Sequence, residues 1–225
     1  MRRSIMNTEQ EKREPAAMPS ADEPAVSWVD SSQPAAIERG REVVVLYGID
    51  PGSRQGRSLL GLLAAMAIPV RLVAPDQLNQ TVAFCAAIPD AQAATLPGSG
   101  TAPDVQMMLM RDLGDGQIND LLRQIRESEA GPIRLKAVVT AHNQAWTLID
   151  LIRELEEEHA MMGAYTRLRQ SMQLAESWLA AADDEAEASA ALRDLLSQAT
   201  ALVSGTEPPP VDSMLAIDRA IRERL

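Results

Sequence analysis

Between Arg41 and residue 160, four short, mostly apolar runs alternate with stretches of helical spacing. Val43 to Tyr47 is unbroken, largely β-branched, and stops at Gly48, the pattern of a strand buried on both faces. After the turn Ile49-Asp50-Pro51-Gly52, the positions Leu59, Leu62, Leu63 and Met66 predict a helix over Arg57 to Ala67, which Pro69 ends. Val70 to Val73 reads as a second strand and Leu78 to Ala87 as a second helix. Pro89 to Pro103 reads as a loop broken at Leu96-Pro97-Gly98-Ser99-Gly100. Val105 to Met110 is the third strand, and Ile118 to Ile125 the third helix with Leu121, Leu122 and Ile125 inward. Leu135 to Val139 is the fourth strand. Strands alternating with helices predict βαβ units. The expected class is α/β, with a mostly parallel four-stranded sheet and flanking helices over residues 41–160.

The helix after the fourth strand has a clear start. Thr147 takes the N-cap position with Asp150 three residues on, and Trp146 and Leu151 flank them as a hydrophobic staple. From there Leu148, Ile152, Leu155, His159, Met162, Tyr165, Leu168, Met172, Ala175 and Leu179 step by three and four, one apolar stripe running past the sheet. Gly163 lies within it and invites a kink. Asp184 and Glu187 read as a second capping box, opening a helix through Leu192, Leu195, Leu196, Ala199 and Leu202 that Gly205 ends. Residues 161–205 are thus expected as a helical hairpin. Residues 206–225 follow as a stiff Pro208-Pro209-Pro210 spacer and a last helix over Ser213 to Arg224. Residues 1–40, rich in Pro, Ala, Ser and Glu, are expected to be a disordered tail, with Ser27-Trp28-Val29-Asp30 as an island able to dock or fold back.

Composition narrows the picture. Hydrophobic residues make up 46% and aromatics 3%, so the core has to be aliphatic. The one cysteine, Cys85, rules out an internal disulfide and every multi-cysteine metal site, and suits a reducing, cytoplasmic setting. No apolar run reaches the ~20 residues of a membrane span, and the first residues lack the apolar stretch of a secretory signal, so no membrane is expected. The net charge is −11. Residues 147–225 carry 7 basic and 15 acidic groups and therefore most of the acidity, which argues against nucleic acid as a partner.

Candidate chemistry gathers on turns. In a parallel sheet, ligands sit beyond the carboxyl ends of the strands. The turns leaving three strands there offer Asp50, Arg54, Asp115, Thr140, His142 and Asn143. An imidazole, a hydroxyl, an amide and carboxylates would suit a small polar ligand or acid–base work. Asp, Asn, Gly and Ser are equally the residues that turns demand for their own geometry. Gly48, Gly52 and Gly56 match neither the dinucleotide fingerprint nor a P-loop, and no lysine follows them. His142 precedes the helix, and Thr147 to His159 alone spans ~18 Å, so the two histidines lie too far apart to share one metal ion. No metal site and no cofactor are expected.

Lys136-Ala137-Val138-Val139-Thr140, followed by Asn143, Trp146, Leu151 to Leu155 and an acidic run, resembles the C-terminal motif of domain-of-unknown-function family 3783. The resemblance extends over about residues 42–160 and implies a small bacterial α/β domain; it implies no activity. Two functions remain in view. One is a non-catalytic interaction or regulatory module, meeting a protein partner or a second copy through the striped C-terminal helices. The other is a small-molecule or anion-binding domain, or a small enzyme, using Thr140, His142, Asn143, Asp50 and Arg54.

Overall fold

The computed structural model describes residues 26–29, 42–94, 101–181 and 187–225. Its centre is a mixed sheet of five strands, β1 (Val26–Trp28), β2 (Val43–Tyr47), β3 (Val70–Val73), β4 (Met107–Arg111) and β5 (Leu135–Val138), in the order β1-β3-β2-β4-β5. The α/β class and the four expected strands are present. The fifth, β1, lies inside the segment read as a tail and pairs in parallel with β3. Of β1 and its continuation only Val29 is buried; Val26, Ser27 and Trp28 are exposed.

The sheet is parallel at β1·β3, β2·β3 and β4·β5 and antiparallel at β2·β4. That single reversed seam corrects the expectation that all strand exits share one rim. Tyr47 stands opposite Met107, which stands opposite Leu135, whereas Val44 stands opposite Met110 and that opposite Val138. The exits of β2 and β3 therefore lie at one rim and those of β4 and β5 at the other.

Helices α1 (Arg54–Ala65) and α3 (Asp115–Glu127) cover one face. Leu59, Leu63, Leu121 and Ile125 pack there on Val44, Leu46, Leu72, Met108 and Met110. The other face is covered by the short α2 (Val82–Cys85) and the first turns of α4 (Leu148–Ala181). Phe84, Leu148 and Ile152 meet Val43, Val45, Met107, Leu109 and Leu135 there. Each such side chain contributes roughly 1.5–3 kcal/mol of burial. Helix α2 is shorter than the span Leu78 to Ala87. The chain before it bonds to the approach to α4 instead: Leu148 N–H donates to Gln80 O at 2.9 Å and Ile149 N–H to Leu78 O at 3.0 Å. The Gln80 side chain is in turn held by both backbone groups of Ala94.

Helix α4 begins as its sequence predicts. The Thr147 hydroxyl accepts from Asp150 N–H at 3.2 Å and donates to the Asp150 carboxylate at 2.5 Å. Thr81 caps α2 in the same way, through Phe84 N–H at 3.2 Å, and the two caps face each other in an antiparallel bridge. Replacing Thr147 with alanine is expected to cost about 1 kcal/mol, read as a shift in urea midpoint, while Thr147→Ser should restore most of it.

Over its 34 residues α4 is unbroken, Gly163 included. Its far half, with Ala164, Leu168, Met172 and Ala175, packs against α5 (Glu187–Val203) and α6 (Val211–Arg222). The expected hairpin and terminal helix are therefore one three-helix bundle. Helix α6 returns onto α4 because Met214 and Ile221 make an apolar face of their own. The Asp184–Glu187 capping box lies outside the described side chains.

Candidate interaction site

The turn after β5 is built by its own side chains. Asn143 Oδ1 accepts from Thr140 N–H at 2.9 Å, its Nδ2 donates to Val138 O at 3.0 Å, and the Thr140 hydroxyl accepts from Asn143 N–H at 3.2 Å. Asn143 is buried and wholly engaged, so Thr140 and Asn143 shape the chain. His142 is exposed and rests edge-on against Trp146, ring centroids 5.0 Å apart at 69°. Asp115 opens α3 at this same rim, where a carboxylate complements the helix N-terminus.

Asp50 and Arg54 stand at the opposite rim. The Asp50 carboxylate accepts from Gly52 N–H at 2.9 Å and closes a local turn; Arg54 forms an exposed ion pair with Glu129. Along the strands, the level of Tyr47 and that of Thr140 differ by five residues of β5, about 16 Å. The structure brings Thr140, His142, Asn143 and Asp115 to one rim and leaves Asp50 and Arg54 at the other, so no common pocket joins them.

Two arginines not selected from the sequence are buried among the strands. Arg71 on β3 donates to Phe84 O at 3.0 Å, with its guanidinium carbon 5.8 Å from the Phe84 ring centroid. Arg111 on β4 donates to Ala86 O at 2.7 Å, to Ala87 O, and to the Asp112 carboxylate at 3.2 Å. Together they hold the carbonyl end of α2. Burial, reinforced by the neighbouring Arg111, lowers the pKa of Arg71 below its ordinary value, although Cys85 opposes the shift. Burial pushes the Cys85 thiol up to about 12, which leaves it protonated and without nucleophilic character at neutral pH. The signal in the sequence was an arginine inside the run Val70–Val73 and another closing the run Met107–Arg111.

A surface with unused capacity lies at the edge of the sheet. Strand β5 is outermost. Leu135 N–H and Val139 N–H bond to β4, at 3.1 and 2.8 Å. By the alternation of a parallel ladder, Lys136 and Val138 present their backbone groups outward. Asn143 already occupies the Val138 carbonyl; among the described residues no strand pairs with the rest. Beside the start of β5 runs a shallow groove of 360 Å³, lined by Arg134, Leu135 and Lys136 and by Leu155, Glu158, His159 and Met162 of α4. This is where the apolar stripe of α4 is least covered: its ends are buried in the two cores, but Met162 is 53% exposed. His159 is exposed and lies beside this groove, in keeping with its distance from His142.

Residues 106–162 match the family model described as a domain of unknown function, DUF3783. The DUF3783 segment is β4, α3, β5 and the first part of α4, a narrower stretch than the resemblance over residues 42–160 suggested. It contains the Thr140–Asn143 turn, the Thr147 cap and every residue of the edge groove. It ends before the buried residues of the bundle, which begin at Ala164, and takes in only one side of the antiparallel seam. No curated protein and no solved structure matches the chain. Among the described residues no helix is long and apolar enough to cross a membrane, and no group of three or more His, Cys, Asp or Glu is arranged to hold a metal ion.

Proposed function

We propose that the protein is a non-catalytic interaction module that receives an extended segment of a partner protein along the outer edge of β5. The observation that carries this reading is the conjunction of the Lys136 backbone groups and the Val138 N–H, which no described strand pairs, with the groove lined by Leu155 and Met162. Strand addition takes affinity from the backbone and specificity from alternate side chains. Arg134 and Lys136 favour an acidic residue on the incoming strand, and Met162 an apolar one beside it. The apolar stripe of the C-terminal helices, where the sequence suggested docking, is largely consumed in forming the bundle. Its open part is the stretch beside β5. We take the working compartment to be the cytoplasm, since the one cysteine is a buried thiol.

The test is a selection of short peptides from a random library on the full chain, followed by hydrogen exchange. Bound peptides should protect the amides of Lys136 and Val138. Val138→Pro, which removes an outward donor and leaves the β4 ladder intact, should weaken binding roughly five- to tenfold, the worth of one or two backbone hydrogen bonds. Peptides that protect other regions, or that ignore Val138→Pro in a folded variant, would overturn the reading.

A further inference from the structure

The bundle holds a polar network at a position its own periodicity assigns to the core. On α6, Met214 and Ile221 are fully buried, and Asp218 between them is 8% exposed. The Asp218 carboxylate accepts from the hydroxyl of fully buried Ser171 on α4 and from Arg222 Nε at 2.8 Å. Burial pushes its pKa up, but the bonds from Ser171 and Arg222 and the nearby charge of Arg167 outweigh that and hold it below the ordinary carboxylate value. An apolar side chain at 218 would pack a helical core at no desolvation cost. The gain from the carboxylate is local: it fixes the Arg222 guanidinium through Nε and leaves both terminal nitrogens uncommitted.

Arg222 lines a groove of 420 Å³ between α4 and α6, together with Arg167, Leu215, Asp218, Arg219 and Glu223. Its size lies within the range of small-molecule sites, about 300–1,000 Å³. Charge is segregated there. Residues 147–225 hold 7 basic and 15 acidic groups, yet the groove gathers three of the former and two of the latter. Arg167 and Arg219 are not within ion-pair distance of any described carboxylate.

We propose that the α4–α6 groove binds a phosphorylated small molecule, with Arg167, Arg219 and Arg222 contacting the phosphate and Ser171 and Asp218 positioning Arg222. The three guanidinium forks outnumber the Asp218 and Glu223 carboxylates, and Asp218 engages Arg222 through Nε alone; the donors left over suit a group with three acceptor oxygens better than the two of a carboxylate. The acidic remainder of the bundle repels an extended polyanion, which favours a compact ligand over a nucleic acid strand. The site is separate from the β5 edge, and neither proposal depends on the other.

Calorimetric titration of the full chain with inorganic pyrophosphate and with AMP tests it, sodium acetate serving as comparator. Saturable binding of at least one phosphate probe, with none of acetate, is expected. Arg219→Gln, an exposed change that leaves the core intact, should weaken it by about tenfold. Asp218→Asn separates positioning from bulk charge: removing a negative group would tighten a purely electrostatic site, but here it should loosen binding by freeing Arg222. Absence of saturable binding by both phosphate probes, equal binding by Arg219→Gln, or tighter binding by folded Asp218→Asn would each overturn the proposal.

Discussion

Replacing Gly48 with alanine is expected to destabilise the α/β layer by about 3 kcal/mol or more. Two costs add. Gly48 has φ +70°, and a Cβ in that region costs roughly 1–2 kcal/mol. The new methyl would also lie inside the contact radius of the Val105 carbonyl oxygen. That atom belongs to backbone held at the entry of β4, where Tyr47 donates to Pro103 O at 2.8 Å and Gln55 and Gln106 exchange amide bonds at 3.0 and 2.8 Å. Overpacking against backbone adds about 1–3 kcal/mol. For a chain of this size the thermal midpoint should fall by about 6–12 °C, followed by circular dichroism. Gly61→Ala in α1, where nothing lies within 4 Å of the added carbon, is the matched control and should stabilise by about 0.5–1 kcal/mol. Equal midpoints for the two variants would show that the close approach at Gly48 does not exist.

Arg111→Ala is expected to cost a similar amount for a different reason. Ala86 and Ala87 are buried, and the Arg111 guanidinium bonds to both of their carbonyl oxygens. Each buried acceptor left without a donor costs about 1–3 kcal/mol, and truncation removes the packing of the arginine stem as well. Relief of the repulsion between Arg111 and Arg71 returns part of this. A net loss of about 3 kcal/mol follows, or roughly 1–2 M in urea midpoint. Arg111→Lys should fall between, because an ammonium lacks the fork that spans two carbonyls and the Asp112 carboxylate. A midpoint for Arg111→Ala within error of the parent would mean that the end of α2 is satisfied by other groups.

The strands were legible because Val43–Tyr47 and Met107–Arg111 are buried on both faces and show it as continuous apolar runs. Direction was not, since such a run reads the same in either orientation. Among the described residues the connection from β3 to β4 holds only the 3-10 turn Pro75–Gln77 and the four-residue α2, too little helix to carry the chain across the sheet. The chain therefore re-enters at the rim it left, and β4 opposes β2. That fact separated Asp50 and Arg54 from Thr140 and His142, which no local pattern records. The structural reading of Thr140 and Asn143 was visible in their chemistry, and their hydrogen bonds match it. Strand β1 was hidden because three exposed residues and one buried Val29 leave no periodic trace. The Asp218 network was hidden by the proline run before it, although a carboxylate among Met214, Ile217 and Ile221 was a readable irregularity.

The uninterrupted rod of α4 has a consequence for how the two ends of the molecule face the world. Between Leu155, packed on the sheet core, and Met161, packed on the bundle core, no residue of α4 is buried, so the azimuth of the bundle about the helix axis follows from the residue count of this stretch. At 3.6 residues per turn, one inserted residue would swing the bundle by about 100° while advancing it only about 1.5 Å. Both cores would survive, and the two proposed recognition faces would look in new directions.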